Sequence, residues 1–317
     1  MSINILGDAP EIRRLQTGLW SFDRAFENRK GDIGFPLGKG TEIYGPTHCG
    51  KSTIAYGLSG IVAASQKKNI ALADLEGFDP EFLVTVLENA EFSGDVQYIQ
   101  KSTDEAVLDE LVVFLRKKDY GVGILDSIGA ISPIAEQEGA IGEANMGMRA
   151  KRMAQFSRKA VRVMKAREEF SQDAPNVFAI NHAYPRIGGM GVETPGGKVK
   201  EFLFSIRISV KRKYWKGKYE EYPDGSYIIE GKVIKNRWGL KDRVFWLFVL
   251  SGKGIHKGLT AMFDGMMLDI VDRKKTIKIG DKSFGYMKNI VEEAQAGNDE
   301  FFEPFFEVLR GDKNEKK

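Results

Sequence analysis

The sequence predicts an α/β protein with a mostly parallel central sheet, helices on both of its faces, an antiparallel extension and a small C-terminal piece. Three observations carry that prediction. Gly45-Pro46-Thr47-His48-Cys49-Gly50-Lys51-Ser52-Thr53 sets two glycines, with four residues between them, ahead of Lys-Ser. It lies between the strand-like run Gly40 to Tyr44 and a stretch in which Ile54, Leu58, Ile61 and Val62 recur at helical spacing. Asn69 to Asp74, Gly121 to Ser127 and Asn176 to Asn181 are short, nearly continuous apolar runs, as strands buried on both faces require. Phe204 to Lys211, Ser226 to Lys235 and Val244 to Leu250 alternate apolar and polar residues, with Pro223-Asp224-Gly225 as a turn between the first two, and read as antiparallel strands.

The 317 residues, 42% of them hydrophobic, suffice for one large core with appendages. The expected division is an arm over 1–16, a core over 17–260 and a small C-terminal unit with a tail over 261–317. A net charge of +3 is only mildly basic, so an acidic partner has to be argued from local clusters. The single cysteine, Cys49, excludes an internal disulfide framework and fits a reducing compartment. No apolar run approaches the roughly 20 residues that span a bilayer, and Met1 to Leu6 is too short and uncharged for a secretory signal. The chain therefore reads as soluble and cytoplasmic, with no membrane role.

In chain order, Ile3, Ile5 and Leu6 could form an edge strand of the arm, and Leu19, Phe22, Phe26 and Ile33 a packing preamble. The glycine-bounded loop is a phosphate cradle. Its backbone N–H groups and the helix N-terminus face anions, Lys51 reaches the terminal phosphates, and the Ser52 hydroxyl ligates Mg²⁺. The same helix terminus would favour the Cys49 thiolate, so alkylation there is expected to block use of the bound nucleotide. Asp74-Leu75-Glu76 ends the next strand, and chemistry in open α/β sheets gathers at strand carboxyl ends. Glu76 can thus orient or deprotonate an attacking water, against the alternative of a solvated surface acid. Asp79-Pro80 opens a helix with Phe82, Leu83, Val86 and Leu87; Val96 to Ile99 is a further strand; Thr103 caps a helix carrying Leu108, Leu111 and Leu115. Asp126, at the end of an apolar strand downstream of the cradle, would hold the Mg²⁺ hydration shell.

A long helix is expected from Asn145 to Arg167, with Arg149, Lys151, Arg152, Arg158, Lys159, Arg162, Lys165 and Arg167 and no acid among them. This local excess favours a nucleic-acid face over a merely solvated one. The strand ending at Asn181 leads to His182, which can face the γ-phosphate or serve as a polar core residue. The Gly- and Pro-rich segment to Gly197 that follows reads as a DNA-contacting or phosphate-sensing loop. Lys235-Asn236-Arg237 ends a strand with two cations around an amide. Beyond His256 the pattern breaks up, with helices expected over Met287 to Ala294 and Asp299 to Leu309.

With these pieces in place, the chain resembles the RecA family of DNA strand-exchange recombinases from about Thr17 to about Asp272. The likeness rests on the loop preceded by Glu42-Ile43-Tyr44, the segment Asp74 to Phe82, Leu125-Asp126-Ser127, Glu138-Gly139-Ala140-Ile141-Gly142 with Asn145-Met146-Gly147, Thr194-Pro195-Gly196-Gly197 and Lys235-Asn236-Arg237, in order and spacing. The resemblance implies a RecA-like ATPase core that forms helical filaments on single-stranded DNA with ATP and Mg²⁺, pairs it with homologous duplex DNA and exchanges strands. It implies that Glu76 resembles the catalytic glutamate and that Asp79 and Phe82 resemble adenine-side contacts. Glu138 to Gly147 and Tyr184 to Gly197 resemble the two DNA-binding loops. Met146, Lys151, Arg158, Arg186, Ile187, Gly196 and Gly197 fall where the family touches single-stranded DNA, and Lys235 and Arg237 resemble the cations that reach the neighbouring protomer's ATP. Three departures stand out. His182 replaces a phosphate-sensing glutamine, as in some phage recombinases; the spacing from Glu76 to Asp79 is one residue shorter than in bacterial RecA; and both chain ends are shorter or divergent.

Two alternatives stay open in the sequence: a ring helicase or clock-type motor ATPase of the same fold, and a non-catalytic mediator that binds a recombinase. The lack of a zinc motif, protease domain or primase-binding domain weighs against several relatives of the first kind. Intact Lys51, Ser52, Glu76 and Asp126 weigh against the second.

Overall fold

A computed structural model describes residues 12–133, 147–171, 173–185, 192–213, 225–273 and 276–311. Among them nine strands form one sheet: β1 (Gly40–Gly45), β2 (Asn69–Asp74), β3 (Val96–Tyr98), β4 (Tyr120–Asp126), β5 (Asn176–His182), β6 (Phe204–Arg212), β7 (Tyr227–Asn236), β8 (Val244–Leu250) and β9 (Gly254–Ile255). Their spatial order is β9-β8-β7-β6-β1-β5-β4-β2-β3. From β6 to β3 every pairing is parallel, and β7, β8 and β9 add antiparallel. The expected fold class holds, with one difference. β6, whose alternation suggested a purely antiparallel strand, runs parallel to β1 and antiparallel to β7, and so joins the two parts of the sheet.

The helices are α1 (Trp20–Ala25), α2 (Lys51–Gln66), α3 (Pro80–Asn89), α4 (Asp104–Arg116), α5 (Met148–Ser171), α6 (Lys257–Met267), α7 (Met287–Ala296) and α8 (Glu303–Gly311). Alternation along the central strands divides the core between the two faces of the sheet. Ile70, Leu72, Ile124, Phe178 and Ile180 pack with Ile54, Leu58 and Val62 of α2 and with Leu83 and Val86 of α3. Ala71, Ala73, Leu125, Val177 and Ala179 pack with Leu108, Leu111 and Leu115 of α4 and with Met153, Phe156 and Ala160 of α5. Asp79 caps α3 by accepting from Glu81 N at 2.9 Å, with Pro80 as the first helical residue, and Thr103 caps α4.

A third cluster joins Phe248 and Leu250 of β8 to Leu259 and Phe263 of α6, Ile290 of α7, and Phe302 and Phe305. α6, where the sequence pattern seemed broken, is a regular helix capped by His256 Nδ1, which accepts from Leu259 N at 3.1 Å. The expected helix from Asp299 divides into a 3-10 turn, Asp299–Phe302, and α8. Among the described residues α5 runs from Met148 to Ser171, and Asn145, its expected start, lies outside them. The edge strand expected over Ile3 to Leu6, the first DNA loop up to Met146 and the turn residues Pro223 and Asp224 lie outside the described residues.

Candidate active site

Register brings the strand ends together: Gly45 of β1 lies beside His182 of β5, and Asp74 of β2 beside Asp126 of β4. Gly45 has to be glycine, because a Cβ there would sit 2.2 Å from Val210 O. Gly50 takes φ 87° and leads directly into α2. The loop between them therefore curls over the N-terminus of α2, which starts at Lys51.

Lys51 Nζ donates to Pro46 O of the same loop at 2.7 Å. The Ser52 hydroxyl donates to Asp126 Oδ2 at 3.2 Å, and the Tyr56 hydroxyl donates to the same oxygen at 2.9 Å. Burial is the main cause that raises Asp126 to about 6, and the neighbouring Glu76 and Asp74 charges add to it. Asp74 is raised as well, again chiefly by burial. It holds the turn after β2 by accepting from Glu76 N at 3.3 Å and Gly77 N at 2.8 Å, and that turn presents Glu76. Glu76 Oε1 accepts a hydrogen bond from the Ser127 hydroxyl and lies 3.1 Å from His182 Nε2. Carboxyl ends of three strands thus meet at one carboxylate.

Lys51, Ser52, Glu76, Asp126 and His182 line a cavity of about 380 Å³ together with Thr47, His48, Thr53, Arg212 and Tyr227, a size suited to a small-molecule ligand. Arg212 ends β6, donates from Nε to His48 O at 3.0 Å and lies 4.2 Å from the centre of the Tyr227 ring. Ser127, Tyr56, Arg212 and Tyr227 escaped the sequence reading. The parallel pairing Ser209↔Tyr44 is what carries Arg212 to the loop. The donors fit a nucleotide's phosphates with a divalent cation. A buried carboxylate and a hydroxyl share one point, and no metal cage of three or more His, Cys, Asp or Glu occurs among the described residues, so phosphate oxygens and water would complete the cation's shell.

Other expected residues stand elsewhere. Asp79 serves as the α3 cap and Phe82 packs against the core; neither is among the residues lining this cavity. Lys235 Nζ donates to Glu201 O at 2.8 Å and Phe204 O at 3.2 Å, and burial lowers its pKa. Arg237 is exposed, with no ion pair among the described residues. Cys49 corrects an expectation. Its thiol is 3% exposed, and burial pushes its pKa up despite the nearby Lys51 and the helix terminus, so the thiolate is disfavoured.

The basic helix is corrected in part. α5 carries no acid up to Arg167, but α4 supplies them: Arg152 pairs with Glu105 at 2.9 Å and Lys159 with Asp109 at 2.5 Å. Arg167 is buried, donating to Leu115 O, Lys117 O and Tyr120 O and pairing with Asp173 at 2.8 Å. Lys151 and Arg158 are exposed and lack ion pairs among the described residues. Near the start of α5, Gly147, Arg149, Tyr184, Glu193, Gly196 and Gly197 help line a second groove of about 480 Å³. Gly196 and Gly197 have positive φ, and a Cβ on either would crowd Ile128 or Ala150. They let the loop's return pack closely on α5. Met146, Arg186 and Ile187 lie outside the described residues.

The parallel sheet, the curled loop and the paired hydroxyl and carboxylate at its mouth define a P-loop nucleotide-binding protein. Comparison with known proteins narrows the class. The chain belongs to the RecA N-terminal domain family, whose sequence profile matches residues 2–256. It is 31% identical over 300 residues to Protein RecA of a Nitratiruptor species, covering 90% of this chain and 82% of that protein. With Protein RecA of Nautilia profundicola it shares 30% identity over 273 residues, 84% of this chain and 73% of the other. With Protein RecA of Staphylococcus aureus (strain Newman) it shares 29% over 259 residues, 78% and 69%. The crystal structure of the RadB recombinase has the same fold, with a TM-score of 0.51 at 17% identity over 70% of this chain and 92% of that one. No helix among the described residues is long and apolar enough to cross a membrane.

Proposed function

We propose that the protein is an ATP-dependent recombinase of the cytoplasm that polymerises on single-stranded DNA, pairs it with homologous duplex and exchanges strands, hydrolysing ATP as it does so. The observation that carries this reading is the meeting of Lys51, Ser52, Asp126, Glu76 and His182 in one cavity, in a chain of the RecA family.

Lys51 would exchange the Pro46 carbonyl for a phosphate oxygen, a gain because a charge-assisted bond replaces one to a neutral acceptor. Ser52 and Asp126 would hold Mg²⁺, which when bound neutralises phosphate charge. Glu76 would orient the attacking water, with Ser127 fixing one of its oxygens. His182, bonded to the same carboxylate, would report whether the γ-phosphate is present. The groove beside the start of α5, with Lys151 and Arg158, would take single-stranded DNA. Lys235 and Arg237, away from the chain's own cavity, would complete the site of the next protomer in a head-to-tail polymer. In this reading residues 1–16 form the polymerisation arm and 261–317 a small appended unit.

The test compares ATP hydrolysis with and without single-stranded DNA, and strand exchange between a labelled oligonucleotide and its homologous duplex. Glu76→Gln should keep ATP binding and DNA binding while losing about a hundredfold or more in turnover, because the group acts in the transition state. ATP turnover without any strand exchange in the parent would favour a motor ATPase, and near-parental hydrolysis in Glu76→Gln would return Glu76 to the surface acids.

A further inference from the structure

A second cluster of buried charge lies outside the cavity, and the nucleotide chemistry makes no use of it. Glu42, three residues before Gly45 on β1, is fully buried. Its Oε1 accepts from Lys200 Nζ and from Asn181 Nδ2, each at 2.7 Å, and its Oε2 accepts from Arg207 Nε at 2.6 Å. Lys200, 2% exposed, also donates to Thr194 Oγ1 and to Pro195 O, each at 2.6 Å. Asn181 donates to Pro195 O at 3.0 Å, and its Oδ1 accepts from His182 N at 3.0 Å.

Arg207 is shared: besides Glu42 it pairs with Glu201 at 3.3 Å and donates to Thr194 Oγ1 at 3.0 Å. Lys200 therefore supplies a second positive charge beside Glu42, at a desolvation cost that shows in its lowered pKa. Its remaining bonds reach beyond Glu42. The three ammonium hydrogens have close acceptors on two different parts of the fold: Glu42 on the strand that feeds the phosphate loop, and Thr194 and Pro195 on the returning arm of the loop that begins after His182. Asn181 closes the circuit, because it bonds Glu42, Pro195 and the His182 backbone at once. If the arm moves, Nζ and the Asn181 amide lose partners in a buried place, which couples its position to that of His182 and hence to Glu76.

We infer that Lys200 is a positioning residue: it clamps the returning arm of the second loop to the strands bearing the phosphate loop and His182, so that DNA on the loop changes the rate of hydrolysis in the cavity. The inference rests on the recombinase reading above.

The experiment measures ATP hydrolysis with and without single-stranded DNA, the KM for ATP and the melting temperature of the parent, Lys200→Met and the double variant Glu42→Gln/Lys200→Met. The single variant leaves Glu42 short of a cation and should melt lower. The double variant removes the buried pair and should recover most of that loss. In both, DNA-free hydrolysis and KM should stay close to the parent, while stimulation by DNA falls about tenfold, within the usual range of coupling energies. Should both Met variants fail to fold, Lys200→Arg keeps the charge beside Glu42 with a planar fork of different reach, and it too should lose stimulation. A double variant, or failing that Lys200→Arg, stimulated as fully as the parent overturns the clamp and leaves the recombinase reading standing. A parent that DNA does not stimulate removes both.

Discussion

Along α5, Arg152, Lys159 and Arg167 are each held by carboxylates or buried carbonyls of neighbouring elements. At the cavity, Lys51 and Arg212 instead rest on neutral carbonyls of the loop they serve, Pro46 O and His48 O. An arriving phosphate can displace a neutral carbonyl, because a charge-assisted bond is roughly twice as strong as a neutral one. It cannot easily displace an ion pair that also ties two helices together. A cation's availability for function is thus set by what already holds it, and counts of Lys and Arg along a helix do not reveal that.

Substitutions that separate available from committed cations put this contrast to the test. The largest effect should come from Lys51→Ala, with hydrolysis down about a thousandfold, in the range seen when a charge-stabilising donor is removed, and the melting temperature nearly unchanged. Mixing sharpens this result. Lys51→Ala protomers keep Arg237, and Arg237→Ala protomers keep Lys51, so in a random co-polymer roughly a quarter of the head-to-tail contacts join two intact surfaces. Activity should rise on mixing two nearly inactive variants; co-assembly with no rise would return Arg237 to the ordinary surface cations.

Next in size, Arg167→Ala should cost about 3 kcal/mol in chemical denaturation, because it strands three carbonyls in a largely buried place and leaves Asp173 with Lys68 alone, while ATP binding by the folded fraction stays intact. A loss of nucleotide affinity without a loss of stability would contradict its assignment as a structural cation. The smallest effects distinguish neighbours on one helix. Arg158→Ala should weaken single-stranded DNA binding on every sequence and lower the salt slope by about one, whereas Lys159→Ala, whose partner Asp109 is exposed, should change stability by no more than about 0.5 kcal/mol and leave the salt slope alone. Equal salt slopes in the two variants would erase the distinction.

What the sequence revealed was what local constraint determines. The two glycines, the apolar strands ending in Asp74 and Asp126, and the caps Asp79 and Thr103 each depend on neighbours a few residues away, and each stands where the pattern put it. What it hid was long-range. Alternation in Phe204 to Arg212 looks the same whether a strand pairs parallel or antiparallel, so nothing flagged Arg212 as a neighbour of the loop. Glu105 and Asp109 meet α5 only through the packing of α4. Gly258 to Met266 of α6 are all buried, so the helix lacks the polar stripe by which an amphipathic helix is recognised. Lys200 reads as one more lysine after a Gly-rich stretch; only the fold shows that it is buried.

Cys49 carries a consequence of a different kind. The chain's one thiol belongs to the phosphate loop and is buried in the core behind it, so a thiol reagent reacts with the native protein only during excursions in which the loop lifts. The labelling rate, divided by that of a free thiol, therefore measures the equilibrium constant for this excursion, as amide exchange does for a backbone segment. Each tenfold slowing corresponds to about 1.4 kcal/mol of added local stability. Without any engineered probe, the protein thus contains a gauge of how firmly its loop is closed, and the same thiol can be followed as ligands are added and removed.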